Sequence, residues 1–302
     1  MTQHNPFIVL LFILFCFTAN AQSIDSLRNR LEHIIQTKNA VVGVSIMGMD
    51  GKDTLSIYGN RRFPMQSVFK FHIGLAMLSA IDQKQFSLDQ LIKIEKNELL
   101  SPLWSPIREK YSEGTTLTIA EILEFTVSQS DNAGCDALLR LLGGPLKVEE
   151  YIMSCGIKDI SIKINEEVMQ NHWDRQFENW TTPKAANQTL ATFFNNLNNV
   201  ISPSSYNFIW RIMQETSTGK DRLKGKLPQG TIVAHKTGWS GRNKTTGITA
   251  AVNDIGIVFL PDGKYFYISV FITESYEDAA TNEEIIADIS KAAWDYFRNK
   301  NW

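Results

Sequence analysis

The chain is 302 residues long, 43% of them hydrophobic, with a formal net charge of -2. That length supports a full hydrophobic core, in one large domain or two closely packed lobes. Lys and Arg are scattered, and no basic run is interleaved with aromatics, so nothing supplies the electrostatic footprint of a nucleic-acid binder.

Residues 7–17 form an unbroken apolar run, too short to span a bilayer. Ala19-Asn20-Ala21 then places small residues where a signal peptidase reads. This predicts a signal peptide over 1–21, cleaved after Ala21, although the segment before the run carries His4 and no Lys or Arg. The expected mature protein is exported, and periplasmic in a Gram-negative source. Cys16 lacks the small neighbours of a lipoprotein site, and no later stretch is long and uncharged enough to cross a membrane, so no anchor is expected. Cys135 and Cys155 remain. They could pair in an oxidising compartment. Cys135 sits in a helical run that packing alone explains, which favours two free thiols.

Ser23–Thr37 has the spacing of an amphipathic helix. Val41–Met49 reads as a strand, turned at Asp50-Gly51 into Thr54–Tyr58. From Gln66 to about Asn199 the pattern is helical, with helices predicted at Leu75–Ile81, Ile119–Thr126, Ala133–Leu142 and Pro183–Leu197; Gly143-Gly144-Pro145 ends the third. Strand patterns return at Thr231–His235, Ile248–Ala251, Ile255–Leu260 and, after Pro261-Asp262-Gly263, Tyr265–Thr273. Asn282–Arg298 closes as an amphipathic helix. The expectation is an α+β fold. Two N-terminal and three C-terminal strands form a five-stranded antiparallel sheet. Terminal helices cover one face, and an all-helical lobe packs on the other. The lobes would comprise 22–62 with 218–302, and 63–217. A cleft between them is the expected ligand site.

Three short motifs carry candidate chemistry. In Ser67-Val68-Phe69-Lys70 a hydroxyl and an amine share one helix face, at the head of an apolar run where an unpaired lysine is expensive. A lysine so placed can activate the serine as a nucleophile. In isolation, a capping Ser67 and a solvated Lys70 explain the pattern better. Ser130-Asp131-Asn132 lies between two helices, where helix capping is the ordinary reading. Lys236-Thr237-Gly238 follows a strand. Its lysine and threonine can hold a carboxylate, and its glycine lets a ligand approach the backbone. Alone, it reads as an edge-strand lysine with a turn glycine. The histidines at 33, 72, 172 and 235 show no His-x-His or His-x-x-x-His spacing, so no metal or other cofactor is expected.

The three motifs, in this order, resemble those of the penicillin-recognising serine enzymes, and of class A β-lactamases in particular. A fourth element strengthens the resemblance. Asn165-Glu166-Glu167 opens a polar segment running to Asn179-Trp180-Thr181-Thr182-Pro183, where class A enzymes present a glutamate to the deacylating water. Glu166 matches that residue; Glu167 is the competing choice. Within class A the chain resembles the PER/VEB-type extended-spectrum branch. The matching stretches include Trp104-Ser105-Pro106-Ile107, Cys135-Asp136, Asn179-Trp180, Arg222-Leu223-Lys224-Gly225 and Ala234-His235-Lys236-Thr237-Gly238.

The resemblance implies hydrolysis of β-lactam antibiotics through an acyl-enzyme on Ser67. Lys70, Ser130 and Glu166 would move protons. Thr237, Lys236 and Arg222 would dock the substrate carboxylate, with Gly238 beside them. Asn132 would bind the side-chain amide, Trp104 would line the cleft mouth, and the Trp239 N–H would serve the oxyanion. Lys70 and Glu166 both stand as candidate bases for acylation. Two residues depart from the branch: Trp239 stands in place of Thr, and Gln170 in place of the usual Asn or His beside the deacylating water. A D,D-peptidase, a serine-type glutaminase and a non-catalytic β-lactam-binding protein are the alternatives. The partner expected is a small β-lactam, and a monomer is expected.

Overall fold

The computed structural model describes residues 23–302 apart from Ser101 and Asn301. The signal peptide expected over 1–21 lies outside the described residues. The main sheet has five antiparallel strands in the spatial order Thr54–Ile57, Val41–Gly48, Tyr265–Thr273, Val252–Phe259 and Val233–Trp239. These are the two N-terminal and three C-terminal strands of the expected sheet.

Alternation along the strands divides the core between the two faces. Phe266, Ile268, Val270 and Ile272 pack with Leu27, Leu31, Ile285, Ile289 and Phe297 of the terminal helices, Ile24–Ile35 and Ala279–Arg298. Tyr267 and Phe271 join the other cluster, built on the central helices. At the heart of that cluster is the helix Phe69–Asp82, buried throughout from Phe69 to Ala80. A helix apolar on all sides must sit inside a packed layer rather than on a surface.

Local signals set the helix ends around it. Thr118 and Glu121 form a reciprocal capping box at the start of Ile119–Ser128. Asp131 caps Asn132–Leu142, which stops at Gly143 in the left-handed conformation. Proline opens Pro145–Ser154, Pro183–Asn195 and Pro203–Gln214.

The structure differs from the sequence reading in several places. The Phe69 helix begins six residues before the expected Leu75. The strand expected over Thr231–His235 instead spans Val233–Trp239, so Lys236, Thr237 and Gly238 lie within it. Ile248–Ala251 is not a strand: only Thr249 pairs there, through isolated bridges to Arg242 and Ser275. The helices Pro145–Ser154 and Pro203–Gln214 were not anticipated. Nor were two small sheets, one pairing Leu91–Glu95 with Gly114–Thr118 and one joining residues 63–64, 180–181 and 160–161.

Candidate active site

A cavity of about 500 Å³ opens where the Val233–Trp239 strand meets the start of the Phe69 helix. Ser67, Trp104, Ser130, Asn132, Gln170, Arg222, Thr237, Gly238 and Trp239 line it, together with Gln66, Pro102, Thr218, Ser240 and Gly241. Lys70 and Lys236 are buried and bonded to residues of its wall, and Glu166 is buried against Lys70. The twelve candidate residues therefore converge from distant parts of the chain.

Ser67 sits in a turn of 3-10 helix, Gln66–Val68, that runs into the Phe69 helix and gives no side-chain cap there. The capping role is thus not the one the hydroxyl plays. Lys70, one turn later, donates to Ser67 Oγ (3.0 Å), to the Ser130 carbonyl (2.9 Å) and to Asn132 Oδ1. Those acceptors use all three N–H groups of an ammonium. Its fourth neighbour, Glu166 Oε1 at 2.9 Å, is therefore an ionic contact, and that oxygen has no hydrogen-bond partner among the described residues. Both side chains are almost fully buried. Either charge alone would cost several kcal/mol to desolvate, so each makes the other tenable.

The Ser130 segment is held by the aspartate between its two functional neighbours. Asp131 accepts from Ser105 Oγ (2.9 Å), Ile107 N (2.7 Å) and Gly134 N (2.7 Å). Ser130 itself has φ +61°, an uncommon conformation for a residue with a Cβ. With Asn132 Oδ1 committed to Lys70, the Asn132 amide nitrogen is left for the cavity.

On the opposite wall, Lys236 donates to Ser130 Oγ (3.0 Å). Burial, and next the charge of Lys70, push the Lys236 ammonium well below its ordinary pKa. Thr218 and Thr237 share a hydroxyl hydrogen bond of 2.6 Å at the cavity edge. Arg222 is more committed than its expected role implies. Its Nη1 donates to the carbonyls of Gly238 and Asn253 (both 3.1 Å), and its Nε pairs with Glu283 (3.2 Å). The guanidinium thus braces the strand while contributing positive charge to the wall.

Glu166 is carried by a short helix, Glu166–Asn171, capped by Asn165 and followed by 3-10 structure over Trp173–Glu178. The expected loop is thus largely helical. Asn179 closes it: its Oδ1 accepts from Lys163 N (2.7 Å) and Ile164 N (3.0 Å), and its Nδ2 donates to Ile164 O (2.8 Å). Glu167, the competing carboxylate, is exposed, whereas Glu166 is buried against Lys70.

Asp136 received no role in the sequence reading, yet it anchors this element. It accepts from Glu166 N (2.8 Å), Glu167 N (3.0 Å) and Asn165 Nδ2 (3.1 Å). A signal was available: Asp136 lies four residues after Asn132 on one helix, hence on the same face. Asp136→Ala should destabilise the fold by about 1–3 kcal/mol, read by urea unfolding, because it strips the acceptors from three N–H groups at the start of this helix. Burial, and next the Glu166 carboxylate, push the Asp136 carboxyl up to about 7. The folded chain then holds that proton more tightly than the unfolded chain does. The associated stability is present below the ordinary carboxylate range and lost as pH rises through about 7. The stability gap between parent and Asp136→Ala should therefore narrow as pH is raised across that window.

Comparison with known proteins agrees with this geometry. A family model described as the β-lactamase enzyme family matches residues 26–297. Beta-lactamase VEB-1 of Pseudomonas aeruginosa is 50% identical over 293 residues, 97% of each chain. Extended-spectrum beta-lactamase PER-1 of the same organism is 40% identical, covering 93% of this chain and 90% of its own. The crystal structure of a class A β-lactamase from Bacteroides cellulosilyticus superposes with a TM-score of 0.85 at 39% identity, covering 90% of this chain and 97% of that one. The chain belongs to the class A β-lactamase family.

Family membership bears out the resemblance to the PER/VEB-type branch and the reading of the chain as a hydrolase. Among the described residues, no helix is long and apolar enough to cross a membrane, and no cluster of three or more His, Cys, Asp or Glu could hold a metal ion. Cys135 and Cys155 are free thiols.

Proposed function

We propose that the protein opens the β-lactam ring of penicillins and cephalosporins, oxyimino-cephalosporins included, through an acyl-enzyme on Ser67, and so confers resistance. The observation that carries this reading is the junction of Ser67 Oγ, Lys70 Nζ and Glu166 Oε1, linked at 3.0 and 2.9 Å at one cavity wall. A nucleophile, a proton carrier and a buried carboxylate in contact are what a two-step acyl transfer requires.

The substrate carboxylate docks on Thr237 and Thr218, with Lys236 and Arg222 supplying positive charge behind them. The amide N–H of Asn132 binds the acylamino side chain. Ser67 Oγ attacks the lactam carbonyl carbon; its proton is taken by Lys70, or by Glu166 through a water. The backbone N–H groups of Ser67 and Trp239 hold the developing oxyanion, and losing one such donor typically costs about 10²–10³ in rate. As the C–N bond breaks, Ser130 gives its proton to the leaving nitrogen, and the proton drawn from Ser67 is returned to Ser130, leaving Glu166 ionised for the next step. Because Lys236 donates to Ser130 Oγ, that hydroxyl is an acceptor on the Lys236 side, and its own proton is free to point at the substrate. Glu166 then takes a proton from a water that attacks the acyl carbon, and that proton passes on to Ser67 Oγ as the ester C–O bond breaks. Gln170, on the cavity wall, helps orient that water.

The test is steady-state hydrolysis of a chromogenic cephalosporin, with a D-alanyl-D-alanine peptide and glutamine as control substrates. Cephalosporin turnover alone supports the reading; turnover of either control with none of the cephalosporin refutes it. Trp239 projects into the cavity with over half its side chain exposed, but the group proposed to act is its backbone N–H. Trp239→Ala should therefore leave penicillin kcat within about threefold and change KM for bulky cephalosporins by up to about tenfold, a range set by the apolar area at stake. A kcat loss comparable to that of an oxyanion-donor deletion would contradict this.

The same proposal covers export and organisation. Residues 1–21 act as a cleaved signal, checked by the N-terminal sequence of the secreted protein, and the mature chain is a monomer, checked by its sedimentation. The separate core clusters on the two faces of the sheet support a division into an α/β lobe (22–62 with 218–302) and a helical lobe (63–217).

A further inference from the structure

The two N–H groups assigned to the oxyanion sit on different parts of the fold. That of Ser67 belongs to the turn entering a central helix; that of Trp239 belongs to the edge strand of the sheet. Two donors can share one oxygen only if both lie about 2.7–3.1 Å from it, so turn and strand must be fixed against each other.

Asn253 joins them. It lies on the Val252–Phe259 strand directly opposite Gly238 and is fully buried. Its Nδ2 donates to the carbonyls of Pro64 (2.8 Å) and Met65 (3.1 Å), immediately upstream of Ser67. Both amide protons are thereby spent on the segment that carries the nucleophile. Gly238 makes the approach possible. A Cβ there would lie 2.4 Å from Met65 O and 3.3 Å from Asn253 Nδ2, so any side chain would push the turn off the strand.

The segment is also held from its other side. Met65 N donates to Asn179 O (2.9 Å), and Gln66 Nε2 donates to Gln176 Oε1 (2.7 Å). Gln66 has φ +46°, a left-handed conformation that costs a non-glycine residue about 1–3 kcal/mol and persists only where surroundings enforce it. Without the Asn253 clamp the turn has a lower-energy conformation to relax into, and Ser67 N–H would move with it.

We propose that Asn253 is a positioning residue for catalysis: it clamps the Pro64–Met65 backbone to the sheet so that the N–H groups of Ser67 and Trp239 face one oxygen. The proposal rests on the assignment of Ser67 and Trp239 made above. Asn253 touches no substrate in this scheme, so its loss acts on the transition state and not on docking.

The test uses Asn253→Asp, which keeps shape but replaces two donors by acceptors facing two carbonyls. We expect kcat to fall on the order of 10²-fold, the effect of misplacing a reacting group by about 1 Å, with KM within about threefold. An arylboronic acid forms a tetrahedral adduct on a serine hydroxyl and needs both donors, so its affinity should fall in step with kcat/KM. Should Asn253→Asp fail to fold, Asn253→Ser, which retains one donor, carries the same comparison with a smaller loss. A folded variant with kcat within twofold of the parent overturns the proposal. So does a kcat loss with unchanged boronate affinity, which would place the effect outside the oxyanion site. Persistence of turnover in Ser67→Ala would instead overturn the underlying assignment, and is read separately.

Discussion

Protein carrying Glu166→Ala will react once with a cephalosporin and then stop. Attack by Ser67 still has Lys70 at 3.0 Å, the amide of Asn132 and the proposed oxyanion donors. Hydrolysis of the ester does not, because no other carboxylate among the described residues lines that cavity: Glu167 is exposed, and Asp131 and Asp136 are occupied by three hydrogen bonds each. A general base typically contributes about 10²–10⁴ in rate. Stopped-flow absorbance should show a burst near one equivalent of ring opening, followed by a steady rate lower by at least about 10³-fold, at the upper part of that range. Turnover at the parental rate would show that the deacylating group lies elsewhere.

Ser67→Ala will abolish both phases, with no burst and no adduct. Residual ring opening from the remaining site should stay at least about 10³-fold below the parent, since triad-like units lose nearly all activity when any essential member goes. Binding should survive. The proposed docking groups, Thr237, Thr218, Asn132 and Lys236, do not depend on the Ser67 hydroxyl for their hydrogen bonds. Equilibrium titration by tryptophan fluorescence, with Trp104 and Trp239 at the cavity, should report a dissociation constant within about tenfold of the parental KM. Loss of binding together with loss of chemistry would point to a collapsed site and not to a missing nucleophile.

What could be read without coordinates follows a physical division. Ser67 and Lys70, or Ser130 and Asn132, are close in sequence, and local spacing alone brings each pair to one face or one loop. The Tyr265–Thr273 strand, a near-continuous aromatic and β-branched run that follows the Pro261-Asp262-Gly263 turn, could be placed to the residue. What escaped depends on contacts between distant segments. Asp136 takes its meaning from Glu166 and Glu167 thirty residues away, and Asn253 from Pro64 and Met65 nearly two hundred away. Nothing local marks Asn253; Asp136 shares a helix face with Asn132, but the groups it holds lie on another segment.

The resemblance assigns Arg222 to the substrate carboxylate, and only the fold shows that its guanidinium also braces the backbone carbonyls of Gly238 and Asn253. Ile248–Ala251 misled in the opposite direction. Its apolar residues are buried at Ala250 and Ala251, but Gly247 at φ +71° turns the chain, and the Ala251 N–H is taken by Ser240 Oγ. Burial without a ladder partner gave strand composition without a strand.

The most direct test of the account is peptide mass mapping of the stalled Glu166→Ala protein after exposure to a cephalosporin. A single added mass is expected, on the peptide containing Ser67, stable over hours and absent from the Ser67→Ala, Glu166→Ala double variant. An adduct on any other residue, or an unmodified protein that has consumed its substrate, would contradict it.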